Sequence, residues 1–222
     1  MTTRTATKAA TKPRKRGVRT ARQARSRHTV ETILEGGARV LAEHGWAGFT
    51  TNAVAARAGV SIGSLYEYFR NKDALRDAIV TRHLDAGERL LTEAAATLDL
   101  SALSGPERSR AVVRALVEGF VRLHADDPVL HRELSSVVPL LPEHRVRVEA
   151  MRERLIGLLA SVLTADTTRP RRTAMVIVDV VEALTHRWMV EDAPHATDAP
   201  LPPDEMREEI ETVVMGYLER RG

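Results

Sequence analysis

Residues 59–75 read Gly59-Val60-Ser61-Ile62-Gly63-Ser64-Leu65-Tyr66-Glu67-Tyr68-Phe69-Arg70-Asn71-Lys72-Asp73-Ala74-Leu75, and this stretch decides the fold. Gly59 follows an Ala-rich segment, 52–58, that Thr50 or Thr51 can cap, so it reads as the left-handed residue ending a short helix. Ser61 caps a second short helix over roughly 62–69, and Asn71 caps a third that reaches about Leu98. Two short capped helices joined by a tight glycine turn predict a helix-turn-helix. Val54, Val60, Leu65 and Phe69 supply the apolar side chains that lock the pair. Ser61-Ile62-Gly63-Ser64 keeps the start of the second helix slim enough to approach a major groove. Lys72 adds an ammonium to the start of the third helix, where a helix N-terminus also favours phosphate.

Upstream, a helical period starts at His28 and places Val30, Ile33, Leu34, Gly37, Ala38 and Leu41 on one face, with a stop at His44-Gly45. Gly36-Gly37 inside this helix costs about 1 kcal/mol per glycine relative to Ala. Downstream, helices are predicted over 107–125, 129–137, 143–164, 171–190 and 204–220, separated at Pro128, Pro139, Pro142, Pro170 and Pro202-Pro203. No β-alternating run occurs. The expected fold is all-α with about nine helices: a basic arm (1–27), a three-helix helix-turn-helix domain (28–85) and a helical C-terminal domain (86–222).

Charge sharpens this division. The chain has 222 residues and a net charge of +3, but residues 1–28 carry ten Lys or Arg and no acid. The remainder holds 23 basic against 30 acidic residues, a net −7. Apart from Met1, Val18 is the arm's only large apolar side chain, so the arm is expected to stay disordered until it meets nucleic acid. It lacks the apolar region of a signal peptide and the amphipathic period of a transit peptide, which points to the cytoplasm. The longest apolar run, 174–178, falls far short of the ~20 residues of a membrane span. With no cysteine, thiolate catalysis, disulfides and Cys-ligated zinc are excluded. Only four of the 33 basic residues are Lys, and Lys72 is the one outside the arm.

The 59–75 stretch resembles the N-terminal domain of the TetR family of transcriptional regulators, whose hallmark is G-V-S-x-G-x-L-Y-x-Y/H-F-x-x-K-x-x-L. Gly59, Val60, Ser61, Gly63, Leu65, Tyr66, Tyr68, Phe69, Lys72 and Leu75 all match, and Phe49-Thr50-Thr51 and Ala55 fit upstream. The resemblance is sharp over about residues 28–85. It implies that Thr50 or Thr51, Tyr66, Tyr68 and Lys72 contact phosphate, with Asn52, Ser61, Ile62, Gly63 and Ser64 nearest the base edges. Ile62 stands where many members carry a polar or basic residue, so its contact would be apolar, to a thymine methyl. Glu67 is an acid on the same face, suited only to accepting from cytosine N4. The segment Gly59-Val60-Ser61-Ile62-Gly63 also satisfies G-x-S-x-G, but a nucleophile elbow needs a strand before its serine and none is present.

The C-terminal sequence carries weaker signals. By resemblance its helices enclose a ligand pocket, for which Leu116, Phe120, His124, Met151 and Leu155 are the candidates; ordinary core packing is the alternative for each. His124, Asp127 and His131 have spacings that could gather a metal ion, yet isolated His and Asp are common, and no metal or cofactor is expected. Helix 171–190 is interrupted by Asp179, Glu182, Thr185 and His186, and the last helix carries Met206, Ile210, Val213, Val214, Tyr217 and Leu218 on one stripe. By resemblance these two helices form the four-helix interface of a C₂ homodimer; packing of both within one subunit is the alternative. The expected function is a non-enzymatic, ligand-responsive repressor that binds a pseudo-palindromic double-stranded DNA operator as a dimer and is released by a small-molecule effector. The alternative is a helical binding or scaffold protein whose head no longer binds DNA.

Overall fold

Two adjacent glycines set the packing of the N-terminal helices. The computed structural model describes residues 16–134, 141–190 and 201–220. Its first helix, α1 (Arg16–Gly48), bends at Gly45, where φ is 61°. A Cβ on Gly36 would lie 3.0 Å from the Cβ and backbone N of Ala58 in α2 (Thr51–Ala58), and one on Gly37 would lie 2.7 Å from Ile79 Cδ1 in α4 (Lys72–Thr97). The propensity cost of glycine therefore lets the α2 backbone approach closely at Gly36 and makes room for the Ile79 side chain of α4 at Gly37. Between α2 and α4 lies the short α3 (Ile62–Tyr68). Ile33, Leu41, Phe49, Val54, Leu65, Leu75 and Ile79 close a core with none of them more than 1% exposed.

The body continues with α5 (Gly105–Ala125), α6 (Pro128–Arg132), α7 (Pro142–Val162), α8 (Pro170–Thr185) and α9 (Pro203–Glu219). Each of these five begins with proline at its first or second position, where the missing N–H has no intrahelical partner to lose. α7 pairs with α8 and α5 with α9, around a second core that includes Val113, Val117, Ile156, Leu159, Ile177, Val181, Met206 and Ile210. Ser109 is fully buried and its hydroxyl donates to the Val162 carbonyl at 3.0 Å, tying α5 to the end of α7. α6 serves both cores: Leu130, with Leu134 just beyond it, packs into the head, while His131 faces the body.

Among the described residues there are nine α-helices and no strand. Three boundaries differ from the periodicity. α1 starts at Arg16, twelve residues ahead of His28, because Ala, Arg and Gln extend a helix already nucleated by packing downstream. The part of the expected disordered arm from Arg16 is thus helical, and residues 1–15 lie outside the described residues. α8 ends at Thr185 and widens into a π-turn over His186–Val190. α6 ends at Arg132, and 135–137 of the helix expected to reach Val137 lie outside the described residues.

Candidate nucleic-acid interface and body cavity

The reading helix is aimed by local chemistry. The Thr50 hydroxyl accepts from Ala53 N–H at 3.1 Å, which makes Thr50 the cap of α2. Gly59 then adopts φ 67°, ψ 28°, and Val60 N–H donates to the Ala55 carbonyl at 3.0 Å. A Cβ at Gly59 would meet nothing within 4 Å, so the requirement there is the left-handed backbone and not space. Ser61 accepts from Ser64 N–H at 3.0 Å, and the two hydroxyls lie 2.9 Å apart. Leu65 and Phe69 turn inward at 0% and 8% exposure, holding α3 against the head.

The remaining side chains of this region face outward or bridge helices. Thr50, Asn52, Ser61, Ile62, Gly63, Tyr66, Glu67 and Lys72 are exposed, whereas Thr51, Ser64 and Tyr68 are half-buried. The Tyr66 hydroxyl lies 3.2 Å from Thr51 Oγ1, joining α3 to α2 across the turn. Tyr68 packs partly against the head core, as its apolar ring allows. Lys72 is held in a way that sequence reading missed: its Nζ sits 4.3 Å over the Trp46 ring, which stacks on buried Phe49 at 5.4 Å. Arg76 lies over the same indole at 5.5 Å and is paired with Asp73 and Asp77. Trp46, just past the bend in α1, was the available signal, but the sequence does not show which cation lies over it.

Inside the body is a cavity of about 270 Å³ between α4, α5, α6, α7 and α8. Phe120, His124, Met151 and Leu155, four of the pocket candidates, line it. Leu116 instead packs in the second core and borders a separate recess of about 190 Å³, because it projects toward α7 one turn away from Phe120. The cavity also collects four imidazoles, from His83, His124, His131 and His186. Burial pushes the His124 pKa down to about 4, against the opposing effect of its bond to the Phe120 carbonyl. Burial, followed by the neighbouring imidazoles, takes His131 down to about 2. Burial also lowers His83. Asp127 does not join them, since its carboxylate caps α6 by accepting from Leu130 N–H at 2.9 Å.

The residues expected at a dimer interface divide. Met206, Ile210 and Val214 are at most 1% exposed within one subunit, because their stripe faces α5 and α8; this corrects their assignment to an intersubunit surface. His186 and Glu182 line the cavity, Tyr217 is half-buried beside the second core, and the Asp179 carboxylate pairs with Arg152. The outer faces of α8 and α9 instead present Met175 (41% exposed), Ala183 and Val213 (47% exposed).

Among the described residues no helix is long and apolar enough to cross a membrane. Residues 33–79 match the family described as bacterial regulatory proteins, tetR family, and residues 110–218 match the Tetracyclin repressor-like C-terminal domain. Many solved structures share the fold. A TetR-like transcriptional regulator from Rhodococcus sp. RHA1 is 23% identical, with a TM-score of 0.58 over 86% of this chain and 95% of that one. A transcriptional regulator from Aquifex aeolicus VF5 is 15% identical, with a TM-score of 0.63 over 85% and 99%. The multidrug binding protein EbrR, complexed with malachite green, is 22% identical, with a TM-score of 0.56 over 83% and 96%. No curated protein matches the sequence significantly. With a helix-turn-helix head and a helical C-terminal domain both matched, the chain belongs to the TetR family of DNA-binding transcriptional regulators.

Proposed function

We propose that the protein is a repressor that binds a pseudo-palindromic operator as a homodimer and leaves it when a small molecule occupies the body cavity. Residues 28–85 form the reading head and 86–222 the effector and dimerisation unit. The observation that carries this reading is the course of α4: Lys72 opens it beside the reading helix, and His83, Leu84, Gly87 and Leu91 of the same helix line the cavity. A ligand that changes the packing at one end of this helix acts on the phosphate contact at the other, and its effect equals its differential affinity for the two states. EbrR, the multidrug binding protein of the same fold, has a dye complex, which supports an organic effector for this cavity. In this reading the exposed α8 and α9 faces pair about a two-fold axis, which sets the two heads on successive major grooves.

A gel shift with DNA from upstream of the protein's own gene, at two salt concentrations, tests the reading; absence of any sequence-preferring complex would overturn it. Lys72→Ala is expected to weaken every DNA sequence about equally and to lower the salt slope by about 1 per subunit. A slope unchanged from wild type would remove Lys72 from the phosphate contacts. Ile62→Gln and Ser64→Ala are expected instead to reorder sequence preference, by about 1–3 kcal/mol at the affected base pair. Selection from a randomised DNA pool measures this, and an unchanged ranking would place the reading face elsewhere.

A further inference from the structure

We infer that His124, His131 and His186 form a binding site for one divalent transition metal ion of the zinc type, with its fourth coordination position open to the body cavity. One ring nitrogen from each of the three lies within 4.8 Å of the others. Their rings converge, with centroids 4.0 Å apart for His124 and His131, 4.8 Å for His124 and His186, and 5.0 Å for His131 and His186. A tetrahedral ion with bonds of about 2.0–2.1 Å needs its nitrogens about 3.3 Å apart, so small side-chain movements close the triangle.

The outer hydrogen bonds are arranged as metal-binding histidines require. His124 Nδ1 lies 2.7 Å from the Phe120 carbonyl and donates to it, which fixes the tautomer and leaves the Nε2 lone pair facing inward. That Nε2 is fully buried and has no hydrogen-bond partner, on a residue only 1% exposed. A buried acceptor left unmade is costly, and a metal ion would use it. His131 Nδ1 meets His83 Nε2 at 3.0 Å, so His83 orients His131 and frees its Nε2 for the ion. His186 opens the π-turn His186–Val190, an irregularity frequent at functional sites. Three imidazoles with no carboxylate in the cluster suit zinc, cobalt(II), nickel or copper(II) over magnesium or calcium. Three protein ligands leave one position for water or a donor atom of a cavity ligand.

The test is cobalt(II) and zinc titration of the untagged full-length protein without DNA, so that its outcome is independent of operator binding. One equivalent of cobalt per chain is expected to produce the strong visible absorption of a four-coordinate site, discharged by zinc. His124→Gln, His131→Gln and His186→Gln should each abolish it, His83→Leu should weaken binding about 10–100-fold, and exposed His44→Gln should leave it unchanged. X-ray absorption of the zinc-loaded wild type keeps the proposal testable if a variant misfolds. Three imidazole nitrogens at about 2.0–2.1 Å are expected. An all-oxygen shell, no stoichiometric binding, or binding indifferent to the three substitutions would overturn the assignment.

Discussion

A protein carrying Ala183→Arg and Val213→Arg is expected to run as a monomer and to bind its operator about 10²–10⁴-fold more weakly than wild type. Both positions are exposed on the outer faces of α8 and α9 and neither belongs to the second core. Substitutions at such sites usually alter subunit stability by no more than about 0.5 kcal/mol. In a two-fold pairing of these faces four new guanidiniums are brought into one seam, and their repulsion and desolvation disfavour association while leaving each fold intact. Single heads then lose the effective concentration that a paired head gives the second half-site. Light scattering reports the mass and fluorescence anisotropy the affinity. A stable dimer in the double variant would move the interface away from these helices.

Phe49→Ala is expected to destabilise the head by about 3–5 kcal/mol. Phe49 has no exposed surface and its ring carries Trp46, over which Lys72 and Arg76 lie. The cavity left behind therefore lies directly beneath the cationic edge of the reading surface. For a chain of this size such a loss lowers Tm by about 6–20 °C, which calorimetry resolves. DNA affinity should fall further than for Lys72→Ala, because both cations lose their aromatic support. A Tm change below about 2 °C would mean that the ring is not the keystone of this core.

The parts of the molecule legible in sequence are those made by neighbours in the chain. Thr50, Ser61 and Asn71 cap helices through residues three positions on, and Gly59 needs its left-handed backbone whatever surrounds it. The prolines before α5 to α9 mark helix starts for the same local reason. The imidazole cluster was legible only in part: the spacing of His124 and His131 suggested a pair, but His186 joins them only through the packing of the π-turn after α8 against α5 and α6, and Asp127, the nearer candidate, is occupied as a cap. The stripe Met206, Ile210, Val214 announced burial correctly but not its partner, since α5 and a second subunit make the same demand on an apolar face.

The glycine seam in α1 bears on how the head can respond. At Gly36 the backbone of α1 meets Ala58 of α2 with no side chain of its own between them, and at Gly37 it leaves room for the tip of the Ile79 side chain of α4, so little free space separates α1 from either helix. In the proposed reading, a push on α4 from the body passes through the Ile79 contact to α1 and on to α2 and the turn that carries α3. The head is then expected to swing as a rigid body, keeping its reading geometry and altering only where that geometry is presented.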